Sequence, residues 1–286
     1  WLRGSSRGPP RQRGGGLVNQ GFLAEMAAES TRRAREAGSR RDLSSLAESA
    51  QPARLLRFGA GGFDVIGEAK LASPSEGRLA SGGEEKVVGL AREYATAGAV
   101  AVSVLTEESR FGGRLSHLEA ASREIDAPVL RKDFLVDPVQ IIEARALGAS
   151  GVLLIARMLS GGLLEEMVDS TLSMGMFVLL EVFDHDDLEL AAPVLDRDIL
   201  LGVNCRDLTT LEVDPSRFEV LAPQLPSNLP HVAESGISTT DDAAAIADLG
   251  YQAALVGSAL VSDVSPGGLL SDLIDAGRRA RAGAGT

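Results

Sequence analysis

Eight times in succession after residue 60, the chain sets a short apolar, β-rich run ahead of a polar loop and a segment of helical periodicity ending near glycine. The runs are DVIGEAK (64–70), AVSVL (101–105), PVLRK (128–132), GVLLI (151–155), FVLLEV (177–182), ILLGVN (199–204), HVAES (231–235) and AALVG (253–257). Between them, stretches such as EEKVVGLAREYATAG, PVQIIEARALG, LLEEMVDSTLSMG and TDDAAAIADLG carry apolar residues three and four apart, the spacing of one helix face. Gly98, Gly148, Gly175 and Gly250 stand just past such stretches, where a left-handed C-cap suits glycine. Successive runs start one strand, one helix and two loops apart. Eight βα units in a row predict a (β/α)8 barrel over residues 61–286, with a doubly wound open sheet as the alternative.

Ahead of the first run, residues 18–60 read as a helical extension, with helices over 19–37 and about 42–50 that could cap the bottom of a barrel or reach round to its mouth. Residues 1–17 open with WLRGSSRGPPRQRGGG, a basic Gly/Pro/Ser stretch that cannot bury apolar area and is expected to be a disordered tail. Charge is uneven. The chain has 28 basic and 40 acidic residues, and residues 1–40 hold eight Arg against three Glu. The remainder is strongly acidic and should repel nucleic acid. No apolar run is long enough to span a membrane and no secretory segment opens the chain, so a soluble cytoplasmic protein is expected. Cys205 is the only cysteine, which excludes an intrachain disulfide and a thiolate cluster, and His117, His185 and His231 lack ligand spacing. Neither a metal nor a cofactor is expected. A monomer is expected as well, since no exposed apolar repeat marks an interface.

In a barrel of this kind, chemistry is carried by the carboxyl ends of the strands and the loops after them. The residues that end the runs are Glu68 and Lys70 on the first, Lys132 on the third, Glu181 on the fifth, Asn204 and Arg206 on the sixth, Ser235 on the seventh, and Gly257 with Ser258 on the eighth. Glu68 and Lys70 are two apart and so share a strand face. Any one of these groups could be a salt-bridged strand end facing solvent. As a set they have a desolvation cost that structure alone seldom repays, and two lysines beside two carboxylates suit acid/base chemistry. In AESGIS (233–238) and LVGSAL (255–260) a Gly/Ser pair follows a strand and precedes a helix, a place where backbone N–H groups can receive an oxyanion such as phosphate.

The stretches EAKLASPSEG, SVLTEESRFGG, PVLRKDFLVDPVQIIEARALGA, LLEVFD, LGVNCRDLTTLEVD and VAESGIS, in this order, resemble indole-3-glycerol phosphate synthase over about residues 20–275. The resemblance implies ring closure of 1-(2-carboxyphenylamino)-1-deoxyribulose 5-phosphate to indole-3-glycerol phosphate, with loss of CO2 and water, in tryptophan biosynthesis. It implies catalytic roles for Glu68, Lys70, Lys132, Glu181 and Asn204. Lys132 and Lys70 would be acids, Glu68 the base, and Glu181 an electrostatic partner and proton relay. Substrate would be held by Ser73, Phe111, Phe134, Arg206, Glu234 and Ser235, with Arg206 and Ser73 at the aromatic carboxylate and the two phenylalanines at the ring. Phosphate would fall to Lys70, Ser235, Gly236, Gly257 and Ser258. Ser73-Pro74-Ser75 and Gly77 would turn a first loop that closes over substrate. Leu71, Glu76 and Cys205 depart from the family pattern beside motif residues, which bears on affinity more than on reaction type. The sister isomerase of the pathway would need a Cys base at the first strand end and an Asp acid on the sixth, where this chain has Glu68 with Lys70, and Asn204. A catalytically silent phosphate-binding barrel acting as a regulatory or binding subunit is the other alternative, and it would be expected to have lost one of Lys132, Glu68, Lys70 or Glu181.

Overall fold

The computed structural model describes residues 21–39, 42–73, 77–79, 82–208 and 210–284, so the tail assigned to residues 1–17 lies outside the described residues. Eight parallel strands close into a barrel in chain order: Asp64–Ala69, Ala101–Leu105, Val129–Lys132, Gly151–Ile155, Phe177–Val182, Leu200–Asn204, His231–Glu234 and Ala253–Val256, the last pairing back to the first. All eight expected runs are strands, and the open-sheet alternative is excluded by the closed ring. Gly98, Gly148, Gly175 and Gly250 have φ of 95°, 85°, 71° and 102°, the left-handed caps that their spacing required.

The two-residue period of a strand sorts each run into two apolar faces. Val65, Val102, Val129, Val152, Leu154, Val178, Leu180, Leu201, Ala233 and Ala254 face outward and join the helices in one core. Ile66, Ala101, Leu130, Leu153, Ile155, Leu179, Leu200, Val232 and Leu255 face inward and fill the barrel. Each fully buried Leu or Ile of this kind contributes about 1.5–3 kcal/mol. One further step of two along the inner face lands on Glu68, Lys132, Glu181, Gly202 and Glu234, so the apolar plug fixes where the charged layer above it must point.

The helices that cover the barrel include α3 (Gly83–Thr96), α5 (Pro138–Ala146), α6 (Leu163–Ser173) and α9 (Thr240–Asp248), each within a stretch of helical periodicity. Before the barrel stand α1 (Gly21–Gly38) and α2 (Leu43–Ser49). Their segment serves both ends of the barrel. Phe22 of α1 lines the cavity at the mouth, and Arg33 makes a two-pronged bridge to Asp133, just past the third strand. Residues 50–58 carry no regular element and run to the opposite end. There the Arg54 N–H donates to Ser150 Oγ at the foot of the fourth strand, and Leu56 and Phe58 pack beneath the inner core. No helix among the described residues is long and apolar enough to cross a membrane.

Candidate active site

At the carboxyl end of the barrel lies a cavity of about 480 Å³, lined by residues from several strands and the loops above them. Its charged floor is built around Lys132. The ammonium is 3.4 Å from Glu234, 3.6 Å from Glu68 and 3.9 Å from Glu181, so carboxylates reach it from the seventh, first and fifth strands. Lys70, one residue past the first strand, stands 2.9 Å from the other oxygen of Glu68. Glu68, Glu181 and Glu234 are all buried.

These surroundings shift the protonation of each group in a definable direction. For Lys132, burial alone would favour the neutral amine, but Glu234, Glu68 and Glu181 hold its pKa above the ordinary lysine value. Burial would raise Glu68, yet Lys70 and Lys132 keep it below the usual carboxylate range, an anion poised between two cations. Glu234 goes the other way. Burial and then the neighbouring Glu181 push it well above the usual range, against the pull of Lys132.

Two glycines make room for this layer. A Cβ on Gly202, between Glu181 and Glu234 on the inner face, would overlap Glu234 Oε1. A Cβ on Gly257 would overlap Glu68 Oε1 and come within 3.0 Å of Lys70 Nζ.

Asn204 points inward at the end of the sixth strand, where its Oδ1 accepts from the Arg206 backbone N–H at 2.9 Å. The Arg206 guanidinium donates to the Leu211 carbonyl at 2.9 Å, and Arg206 bridges to Val213, so the loop after the sixth strand folds over the cavity with its cation tethered. Phe111 and Phe134 both line the cavity, with ring centroids 6.2 Å apart. Buried Glu107 holds Phe111 in place, accepting from the backbone N–H groups of Ser109, Arg110 and Phe111. Ser73 belongs to a two-residue ladder, Ala72–Ser73 against Gly77–Arg78, in the first loop. Its side chain and Pro74, Ser75 and Glu76 lie outside the described residues.

The final loops are not equivalent. Gly257 leads directly into α10 (Ser258–Ser262), as their sequence implies. Ser235 and Gly236 do line the cavity, but they do not stand at a helix N-terminus. Helix α9 starts at Thr240, and a capping box of Thr239 with Asp242 satisfies its first turn. Ser235 instead adopts φ of 69°, beside Gly236 at 71°. A non-glycine residue in that region is uncommon. The side-chain composition of AESGIS gives no sign of it.

Sequence reasoning did not single out Phe22, whose ring stacks edge-on against Phe134 at 5.8 Å, nor Arg131 and Asp133, which alternate with Lys132 and Phe134; Asp133 borders the cavity, but its side chain is fully buried against Arg33 and Arg131. The RKDF motif contained that signal, since neighbours along a strand face opposite sides. Glu234, expected to hold substrate, does not line the cavity but lies behind Lys132.

The family model described as indole-3-glycerol phosphate synthase matches residues 23–268. A Streptomyces coelicolor protein named indole-3-glycerol phosphate synthase 1 is 43% identical over 247 residues, covering 85% of this chain and 90% of its own. A Mycolicibacterium smegmatis protein named indole-3-glycerol phosphate synthase is 46% identical over 216 residues, covering 76% and 78%. Among solved structures, a 3-hexulose-6-phosphate synthase from Salmonella typhimurium superposes with a TM-score of 0.62 at 14% identity, covering 76% of this chain and 99% of that one. A Yersinia pestis dihydropteroate synthase gives 0.58 at 15%, covering 82% and 99%. At such identities these two show the barrel fold alone. The named relatives are enzymes, and nothing among them supports a catalytically silent barrel. The chain belongs to the indole-3-glycerol phosphate synthase family, carboxy-lyases of tryptophan biosynthesis.

Proposed function

We propose that this chain closes the indole ring of 1-(2-carboxyphenylamino)-1-deoxyribulose 5-phosphate through the Lys132 layer, in the cytoplasm and as a monomer. The ring carbon that bears the carboxylate attacks the ketone carbon while Lys132 delivers a proton to the ketone oxygen. The bond to CO2 then breaks, and its electron pair restores the aromatic ring. In the dehydration that follows, the hydroxyl leaves with a second proton, from Lys70, and Glu68 removes a proton from the adjacent carbon. Glu181 supports the charge on Lys132. Asn204 orients the substrate's polar groups, Arg206 and Ser73 hold the aromatic carboxylate, and Phe111 with Phe134 hold the ring. Phosphate is received by Lys70, Ser235, Gly236, Gly257 and Ser258.

One observation carries this reading: the Lys132 ammonium, with its pKa raised, is ringed by carboxylates from three strands on the floor of the cavity. Such a group stays protonated at neutral pH and can still lose its proton to a developing alkoxide. Purified protein is expected to turn the carboxyphenylamino substrate into a product with indole fluorescence, without added metal or nucleotide. Absence of product from the wild-type chain, or wild-type turnover by Lys132→Ala, would refute the assignment.

A further inference from the structure

The charges around Lys132 do not balance. Two ammonium groups, Lys70 and Lys132, share one buried layer with three carboxyl groups, Glu68, Glu181 and Glu234. An uncompensated charge in such a place is costly enough that one carboxyl takes up a proton instead. Glu68 is unsuited to it, since each of its oxygens faces an ammonium. Glu234 is suited. Its Oε2 faces Lys132, while its Oε1 is fully buried with no N–H or O–H donor among the described residues. That oxygen sits over the bare Cα of Gly202, whose strand neighbour is Glu181. A proton held between Glu181 and Glu234 gives the orphaned oxygen its partner. Its register neighbours on the flanking strands, Asn204 and Leu255, do not titrate. The raised pKa of Glu234 agrees.

The reaction has a use for that proton. Ring closure delivers one proton to the ketone oxygen, dehydration delivers another to the departing hydroxyl, and one comes back from carbon. Because CO2 leaves from a carboxylate, each turnover takes up one proton net. Building on the proposed function, we infer that Glu234 and Glu181 form a proton-sharing carboxyl pair, seated by Gly202, that reprotonates Lys132 after it has acted on the ketone. The neutral amine of Lys132 takes the proton from the pair, the pair is left as two carboxylates about the restored ammonium, and solvent refills it between turnovers. Glu234 is thus a positioning residue acting through Lys132.

The wild-type protein at neutral pH should show the infrared C=O stretch of a protonated carboxyl, and that band should be absent from Glu234→Gln. Glutamine keeps the shape of the neutral acid but has no proton to give. The variant should complete a first turnover at close to the wild-type rate and then fall about 10²-fold or more in kcat, with KM falling alongside because kcat/KM is set before the slowed reprotonation, as expected for loss of one acid/base group. Imidazolium or another small acid in the buffer should restore the later turnovers. Lack of the band in an active wild-type protein would overturn the inference. So would a Glu234→Gln variant whose first turnover is as slow as its later ones and which ignores added acid, as a substrate-holding carboxylate would predict. An inactive wild-type chain would instead defeat the proposed function.

Discussion

Along four residues of the chain, two networks of charge lie back to back. Lys132 and Phe134 line the cavity, while the side chains of Arg131 and Asp133 pair with Glu143 of α5 and Arg33 of α1. The outward network is closed and balanced. Arg131 meets Glu143 at 3.0 Å and Asp133 at 3.4 Å, Arg33 clamps Asp133 at 2.7 and 2.8 Å, and Thr106 donates to Asp133 at 2.6 Å. Two guanidiniums answer two carboxylates, and Asp133 is held below the usual range against its burial, chiefly by Arg33. The inward network has a carboxyl in excess and opens on a cavity. Balance and closure make a structural joint that ties α1 and α5 to the third strand. Imbalance beside an opening leaves a proton that can move, which is what catalysis requires.

The sharpest way to break the comparison is to delete one member on each side. Lys132→Ala should cost about 10²–10⁴-fold in kcat, measured by indole fluorescence, and should lower stability as well, because the buried carboxyl groups lose their ammonium. Asp133→Asn should cost stability alone. It leaves Arg33 without its carboxylate and Arg131 with Glu143 only, and should cost about 3–5 kcal/mol in urea unfolding with turnover per folded molecule little changed. A Lys132 variant with wild-type turnover, or an Asp133 variant of full stability, would show that the division between joint and engine is false.

The two networks should also answer pH with opposite signs. Asp133 is depressed in the folded state, so its contribution is present above the unfolded carboxylate pKa and is lost as pH falls through the lower folded value. Glu234 is raised, so the folded state binds the extra proton. The stability linked to it is present below the unfolded pKa and is lost as pH rises toward the folded value. Urea midpoints measured from acid to alkaline pH should therefore show Asp133→Asn weakest relative to wild type above the carboxylate range. Glu234→Gln should gain on wild type as pH rises. Parallel curves for the two variants would erase the distinction.

Smaller again is the effect at the seat of the inward layer. Gly202→Ala should overpack the contact with Glu234, at a cost of about 1–3 kcal/mol by urea unfolding.

Much of this was legible in the chain. The eight runs are strands because their apolar residues fill two faces, and the place of Glu68, Lys132 and Glu181 at the carboxyl ends of their runs gathered them at one mouth from sequence. The period of two applied to Arg131 and Asp133 would have found the outward network. What could not be read were contacts between segments far apart in sequence, such as Arg33 with Asp133 or Phe22 against Phe134, because helical periodicity does not say which end of the barrel α1 meets. The left-handed Ser235 was hidden for a different reason, since serine carries no signature of positive φ. The role of Glu234 turned on a count of charges in a volume that only closure of the barrel defines.

The smallest effect should come from the other tether of α1, where Arg110 in the second loop meets Glu25 at 2.7 Å. This bridge resembles the Arg33–Asp133 joint in reach, since both connect α1 to a loop at the mouth. It differs in solvent. The side chains of Arg110 and Glu25 are 47% and 49% exposed, whereas that of Asp133 is fully buried. Exposed pairs contribute only about 0.2–1 kcal/mol and weaken with salt, because water competes for both partners and two long side chains must be ordered. Arg110→Ala should thus lower stability by less than about 1 kcal/mol, with the difference from wild type vanishing at high salt. Phe111 should keep its place through the backbone bonds to Glu107, leaving KM nearly unchanged. A large rise in KM on Arg110→Ala would mean that α1 is held over the cavity by its exposed tether rather than by the buried one, and the contrast between the two faces of the third strand would then have to be redrawn around solvent rather than charge balance.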